Sequence, residues 1–415
     1  MTEKIIRESQ VEHGPLVLSH TLPDVQTAAL GFFIDLGSRD ESSAQAGIAH
    51  ALEHMLFKGT RKHDVHALSQ MLDRLGGSAN AFTSREHTCF HMHVLHEDWQ
   101  KALDILGEML LDAAIPDDEW QREREVIFSE MAMVEDSPEE WVLDQHLQAL
   151  FPGQSVGRST LGTQQSLLGL TRQDLTDCLA GYYRPPRLLI CAAGRLEHEA
   201  LVERVSAMCW PQGLPKTNRQ PATMADGLQL LPRQTEQIQI VFSYPGIVAA
   251  SDERPVAWLA NQILGGSMSS RLFREVREKR GLAYQISSHS SSLSDTGTWT
   301  IMAGTEPQRL SECLDVIRAT VHDVAEHGVK AEELLLAKSL TEVQLRMGMD
   351  SVEGNMLRLG ARFDEPEVRH QSYWLEQIRQ VEHDALQHWV AEKLSGSPLL
   401  TISGPEAQLS EIATA

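Results

Sequence analysis

Residues 47–60 read GIAHALEHMLFKGT, and the fold is most legible outward from this stretch. His50 and His54 stand four positions apart, so on an α-helix they leave one face a turn apart and can reach a single ion. Ile48, Leu52, Met55 and Leu56 recur at helical spacing, Ser42 or Ser43 is placed to cap the helix, and Gly59 is placed to stop it. Glu53 lies on an adjoining part of the same surface. The neighbours Ala51, Leu52 and Met55 predict a largely buried helix, and buried histidines beside a glutamate require a compensating partner. H-x-x-E-H also arises by chance on solvated helix faces, so the rest of the chain has to carry the reading.

Upstream, GPLVLSHTLPD and TAALGFFIDLGSRDE alternate apolar runs with turns, as strand, hairpin, strand. Downstream, a second helix is expected over His66 to Leu75, then a Gly76-Gly77 break, then a strand marked by the alternation Phe90, Met92, Val94. Two helices follow, from about Asp98 to Ala114 and from about Asp117 to Glu135, and YYRPPRLLICAAGRL reads as a turn feeding a buried strand.

The polar, proline-bearing segment WPQGLPKTNRQPATMAD lacks periodicity and reads as a linker. It divides the chain into an N-terminal domain over residues 1–213, a linker over 214–227 and a C-terminal domain over 228–415, each of ordinary domain size. The second half repeats the plan of the first, with QIQIVFSYPGI, PVAWLANQILGG and TWTIMAGTEP in order, which points to duplication. Laid on LEHMLFKG, LANQILGG puts Ala257, Ala260 and Asn261 where His50, Glu53 and His54 stand, so the C-terminal domain is expected to be metal-free.

Composition narrows the function. A formal charge of −22 disfavours nucleic acid as a partner, and no run approaches the roughly 20 apolar residues of a membrane span. The N-terminus shows basic residues with no apolar run behind them, which predicts a cytoplasmic protein. Five scattered cysteines without a C-x-x-C pair predict neither a disulfide framework nor a cysteine zinc site.

Catalytic zinc sites commonly take two histidines and a carboxylate and leave a fourth position for water, so a third ligand should come from another helix. EWQREREVIFSEMAMVE is the candidate: Glu123 and Glu130 lie seven apart and share a face, with Glu119, Glu125 and Glu135 as competitors that helical period alone does not dismiss.

In these features the chain resembles the pitrilysin-type (M16) inverted-zincin metallopeptidases, specifically the bacterial relatives of the mitochondrial processing peptidase, whose signature is the order H-x-x-E-H. GIAHALEHMLFKGT, LGGSANAFTSREHT, the acidic helix and YYRPP all fall in that family's order, and the resemblance covers almost the whole chain. It implies an α+β fold of two homologous domains, each a mainly antiparallel sheet with helices packed on it, the processing-peptidase/LuxS-like metallohydrolase fold. It also implies a third ligand about 76 residues beyond the second histidine, which is Glu130, and a supporting acid one helix repeat earlier, Glu123, orienting a ligand.

GGSMSSRLFREVREKRGLAYQISS is similar to the family's C-terminal domain and contains its arginine and tyrosine pair, here Arg277 and Tyr284, with Arg274 and Arg280 as neighbouring alternatives. The implied role is to hold the substrate backbone or the oxyanion opposite the zinc. Gly77, Ser78, Ala79, Asn80, Ala81, Phe82 and Thr83 resemble the family's substrate-facing edge strand, which takes an extended peptide by strand addition, the first six being the expected substrate-binding residues; Asn80 has either a hydrogen bond to substrate or a turn role. His87, His91, His93 and His96 form a second cluster, which ordinary histidines near a cleft or solvent explain without a second ion.

The resemblance therefore implies a metalloendopeptidase holding one Zn2+ per chain on His50, His54 and Glu130, with Glu53 taking the proton of the attacking water. Expected substrates are extended peptides or unstructured segments in a two-domain clamshell. Because the zinc motif and the arginine and tyrosine stand on one chain, a homodimer is expected, with a heterodimer of related subunits as the other possibility. The competing class is a non-catalytic structural or peptide-binding subunit of the same fold.

Overall fold

The computed structural model describes residues 6–216 and 218–413; Thr217 of the expected linker and the extreme termini of the expected domains lie outside them. The described residues form two compact units, each built on one sheet. Unit 1 takes the described residues within 1–132, 158–220 and 347–370, and unit 2 those within 133–157, 221–346 and 371–415.

In unit 1 the strands are β1 (Ile6–Gln10), β2 (Leu16–Thr21), β3 (Thr27–Ile34), β4 (Ser78–Thr83), β5 (Thr88–Leu95) and β6 (Leu188–Gly194), in the order β1-β2-β6-β3-β5-β4. All neighbours are antiparallel except β2 and β6. The near-continuous apolar run of β3 follows from burial on both faces: Leu30, Phe32 and Ile34 enter the main core, while Ala29 and Phe33 enter a smaller one on the opposite face. Against the main core pack α1 (Ile48–Leu56), α2 (Val65–Leu75), α3 (Trp99–Leu111) and α4 (Asp117–Asp136).

Two of these helices begin where side-chain chemistry dictates. Asp64 accepts the Ala67 amide and starts α2. For α1 the expected caps Ser42 and Ser43 are exposed in a short turn, and the helix instead starts after Gly47, which holds φ +90°. A Cβ at Gly47 would meet the Leu161 carbonyl oxygen at 2.7 Å, so glycine is required for space as well as for φ. The amides of Gly47 and Ala49 are taken by the buried Glu41 carboxylate, at 2.7 and 2.9 Å. Burial raises the Glu41 pKa to about 8, against the pull of those two amides.

Unit 2 contains β7 (Gly227–Pro232), β8 (Ile238–Pro245), β9 (Ala283–Ser292), β10 (Gly297–Thr305) and β11 (Leu399–Gly404), in the order β7-β11-β8-β10-β9. Its one parallel pair is β7 with β11. Without β1, unit 1 has the same order and the same placement of its parallel pair, as duplication predicts. One face of this sheet carries the core, with the helix α5 (Pro138–Leu150) on the other and α6 (Arg254–Leu264) packed into the core. On α5 the fully buried His146 bonds Ser243 of β8 through Nε2 and Thr401 of β11 through Nδ1, both at 2.8 Å.

The sequence pattern implied two continuous domains, and the contacts show discontinuous ones. Helix α5 comes from the first half of the chain and completes unit 2, while α7 (Val352–Leu359) comes from the second half and covers the smaller core of unit 1, with Met356 fully buried among Leu18, Phe33, Leu189 and Cys191. Hydrophobic periodicity reports that a helix has an apolar face and not which sheet receives it, so this exchange was invisible to it.

Candidate metal centre

Helix α1 is buried at Ala49, Ala51, Leu52, Met55 and Leu56, and its partly exposed positions are His50, Glu53 and His54. One polar stripe is thus turned out of an otherwise apolar helix. Helix α4 meets it with a matching stripe: Trp120, Glu123 and Ile127 are buried, and Glu130 lies one turn farther on the same side. Among the sequence competitors, Glu119 is tied to Arg122 at 2.6 Å, and Glu125 and Glu135 are exposed.

The stripes converge. Glu130 Oε2 lies 3.7 Å from His50 Nε2 and 3.5 Å from His54 Nε2, and one donor atom from each of the three residues falls within 4.8 Å of the others. Bonds of about 2.0–2.2 Å to a tetrahedral zinc separate donor atoms by roughly 3.3–3.5 Å, so these residues fit that ion. Burial, with His54 close by, lowers the His50 pKa to about 4, which keeps the ring neutral as a ligand must be.

Behind His54, its Nδ1 faces Glu123 Oε2 at 3.1 Å. A carboxylate accepts, so Nδ1 carries the hydrogen and Nε2 is left with its lone pair toward Glu130. The other Glu123 oxygen is held by Lys58 Nζ at 2.8 Å. Sequence reasoning did not single out Lys58, although it stands four residues beyond His54 and that spacing was a usable signal.

Glu53 is not among the three converging donors. Its Oε2 accepts from the Thr83 hydroxyl at 2.5 Å. Burial raises its pKa, opposed by the Thr83 hydrogen bond and by His54, with Glu130 adding to the rise. Thr83 was part of the quoted strand but was not recognised as a site residue, because nothing in strand alternation predicts a bond to a helix 30 positions earlier.

Strand β4 is the sheet edge and pairs with β5 alone. Ser78, Ala79, Asn80 and Phe82 are exposed and Ala81 half-buried, while a Cβ on Gly77 would strike the His93 carbonyl oxygen at 2.1 Å. Asn80 uses its side-chain oxygen locally, accepting the Ala81 amide at 2.9 Å.

The second histidine cluster does not assemble around one ion. His93 bonds Thr27 at 2.9 Å, His91 lies 3.0 Å from Glu353, and His87 lies 3.1 Å from Asp364. His91 and His93 occupy the face of β5 opposite Phe90, Met92 and Val94, His87 stands just before that strand, and His87 and His91 meet carboxylates of the returning 347–370 segment. Glu86, His87 and Asp364 do cluster closely, but Glu86 is already paired with Arg39 at 2.7 Å and Arg219 lies 3.8 Å away, so the negative charge there is met by guanidinium.

In unit 2, the segment Phe273–Glu278 forms a π-helical turn, and Arg277 stacks 4.7 Å over the rings of both Phe273 and Tyr284. Tyr284 is 74% exposed. Arg274 and Arg280 are instead drawn to Glu275, at 3.3 and 3.0 Å. At the positions aligned with the zinc motif, Ala257 and Ala260 are buried and the Asn261 side-chain oxygen accepts from Ser288 and from the Trp299 indole, at 2.8 and 3.0 Å.

Two duplicated α+β units, the first carrying an H-x-x-E-H helix, define the inverted-zincin class of architecture, and comparison with known proteins agrees. The fold is shared with a peptidase M16 inactive domain from Pseudomonas fluorescens, at TM-score 0.88 and 19% identity over 96% of this chain and 98% of that one. A protease from Helicobacter pylori matches at TM-score 0.88 and 18% identity, over 96% and 99%. Residues 16–164 match the family described as Insulinase (Peptidase family M16), and residues 169–341 match the Peptidase M16 inactive domain. An uncharacterized zinc protease of Streptomyces coelicolor is 33% identical over 96% of this chain and 90% of its own, and one of Bacillus subtilis is 32% identical over 86% and 87%. The chain belongs to peptidase family M16. Among the described residues, no helix is long and apolar enough to cross a membrane.

Proposed function

We propose that this chain is a zinc-dependent endopeptidase acting on extended peptides or unstructured protein segments, with one zinc ion per chain. The observation that carries the reading is the convergence of His50, His54 and Glu130 beside a glutamate, Glu53, that stands apart from the three donors. Bound there, zinc supplies Lewis acidity that polarises a scissile carbonyl and acidifies a water. His50, His54 and Glu130 hold the ion, and Glu123 fixes the His54 tautomer. Glu53 takes the proton from water and passes it to the leaving amine, a task helped by burial that raises its basicity.

The open edge of β4, from Gly77 to Phe82, offers backbone groups to an extended peptide, an arrangement that would select substrates by extended shape rather than by sequence. Arg277 and Tyr284 are assigned to the substrate backbone or the developing oxyanion, on the strength of the family resemblance and of the stacking of the half-buried Arg277 on the exposed Tyr284 ring. A homodimer is the assembly this reading favours, since both halves of the machinery stand on one chain, and the cytoplasm is its proposed location. Sedimentation of the purified chain beside a peptide assay tests the assembly: an inactive monomer rescued by a second protein defeats it.

The deciding experiment is hydrolysis of a mixed peptide library by the wild type and Glu53→Gln, with metal content measured on both. Zinc bound to both and cleavage only by the wild type supports the reading. Zinc-free protein, or peptide binding without cleavage by the wild type, makes the chain a non-catalytic binding subunit.

A further inference from the structure

We propose that Thr83 is the positioning residue for Glu53, and that its hydroxyl ties the catalytic carboxylate to the substrate-pairing strand so that the two are registered to each other. This rests on the peptidase reading above and deepens it.

The bond itself is short and directional, with Thr83 Oγ1 donating to Glu53 Oε2 at 2.5 Å. A carboxylate on a flexible three-torsion side chain beside a cluster of donor atoms has two competing fates, joining the ion or facing the water. Occupying one oxygen with a donor fixed to another element restricts rotation and leaves Oε1 as the oxygen presented to a proton. Threonine suits the task, because β-branching restricts its χ1 on an extended backbone.

The support behind Thr83 is unusually firm for the end of an edge strand. It is the last residue of β4 and pairs with Thr88 of β5, whose hydroxyl is bound to the Leu36 carbonyl at 2.9 Å. The following turn is closed by Ser84 N to His87 O at 2.7 Å, and docks on the segment after β3 through Arg39 N to Arg85 O at 2.8 Å. Glu86, in the same turn, is buried in its ion pair with Arg39. The anchored end of β4 therefore carries the hydroxyl, while the stretch before it, Gly77 to Phe82, is the edge open to a pairing peptide. A peptide adding to that edge takes its register from the same strand that holds Glu53, so the scissile bond and the base share one frame.

The test uses the full-length zinc-loaded protein with Thr83→Val, which keeps the shape and removes the donor, and Thr83→Ser, which keeps the donor. Expected for Thr83→Val is a fall in kcat of about 10- to 100-fold, KM within about twofold of wild type, and unchanged zinc content, with Thr83→Ser recovering most of the rate. In metal-free protein, Thr83→Val and Glu53→Gln should shift the unfolding midpoint non-additively, since they remove the two ends of one bond. If valine proves poorly accommodated, seen as loss of cooperative unfolding, Thr83→Ala replaces it with the same expectation. Wild-type kcat in Thr83→Val, equal losses in valine and serine variants, or loss of zinc with the hydroxyl each overturn the proposal. Activity that disappears in Glu53→Gln but persists in Thr83→Val sinks the Thr83 role alone, whereas an inactive wild type sinks both readings.

Discussion

Glu123 grips His54 Nδ1 at 3.1 Å with one oxygen and Lys58 Nζ at 2.8 Å with the other. The carboxylate is nearly buried, so the lysine stabilises its charge and the charge fixes the ring. An arrangement of this kind acts on metal affinity by holding a ligand in its binding tautomer before the ion arrives.

Glu123→Ala should therefore weaken zinc binding by about 10- to 100-fold while leaving His50, His54 and Glu130 in place. Competition against a chromophoric chelator measures it. Affinity equal to wild type would show that the Glu123 contact with His54 is incidental.

Glu53→Gln should bind zinc with near wild-type affinity and lose kcat by about 10²-fold or more, the usual contribution of a positioned proton acceptor. Zinc stoichiometry and steady-state peptide cleavage on one preparation check both halves. A variant that loses the metal along with the rate would place Glu53 among the ligands.

His146 is fully buried, and burial lowers its pKa to about 4. The unfolded chain takes up this proton near pH 6.5 and the folded chain does not until about pH 4, so the stability held above pH 6.5 is lost as pH falls toward 4. Between pH 7.5 and pH 5 this one group should cost about 2 kcal/mol. Urea unfolding at the two pH values, compared with His146→Gln, isolates it: the variant should lose less stability on acidification. His20, also lowered to about 4 by burial with help from His370 and Arg358, remains in both proteins and so cancels in the comparison.

A fragment ending at residue 220 lacks the 347–370 segment and should leave the smaller core of unit 1 uncovered, exposing Leu18, Phe33 and Leu189. Expected signs are binding of a hydrophobic dye and aggregation, relieved in part when residues 347–370 are fused back through a flexible linker, the remainder coming from α5 without the unit 2 sheet it packs on. In the full chain, Met356→Ala should cost about 2–5 kcal/mol, as for a buried large-to-small change. A soluble, dye-silent fragment would show that the returning helix is dispensable to unit 1.

Much of the local architecture could be read directly. The alternation in β5 and the helical spacing in α1 placed both elements, and α2 differs from its expected span only at its first residue, where Asp64 caps it. The start of α1 was misread because serine is the common cap, whereas here the buried Glu41, six and eight residues before the amides it accepts, takes that place at a spacing outside the usual N-cap pattern. His87 and His91 stood out as members of a cluster, but their partners Asp364 and Glu353 lie more than 250 positions away.

By itself the sequence determined that His50 and His54 share a helix face, because an i, i+4 spacing admits no other helical geometry. Family resemblance added Glu130. The resemblance also supplied Glu123, and what only the tertiary structure decided is the meeting itself: both acids of α4 turned to that face, Glu119 tied to Arg122, Lys58 closing behind Glu123, and Thr83 on Glu53. It also decided that α5 and α7 complete the sheets of opposite halves of the chain. The physical reason is the same for both. Periodicity encodes the orientation of a residue about its own helix or strand, whereas the partner across a gap is set by how separate elements pack, information spread over every core residue between them.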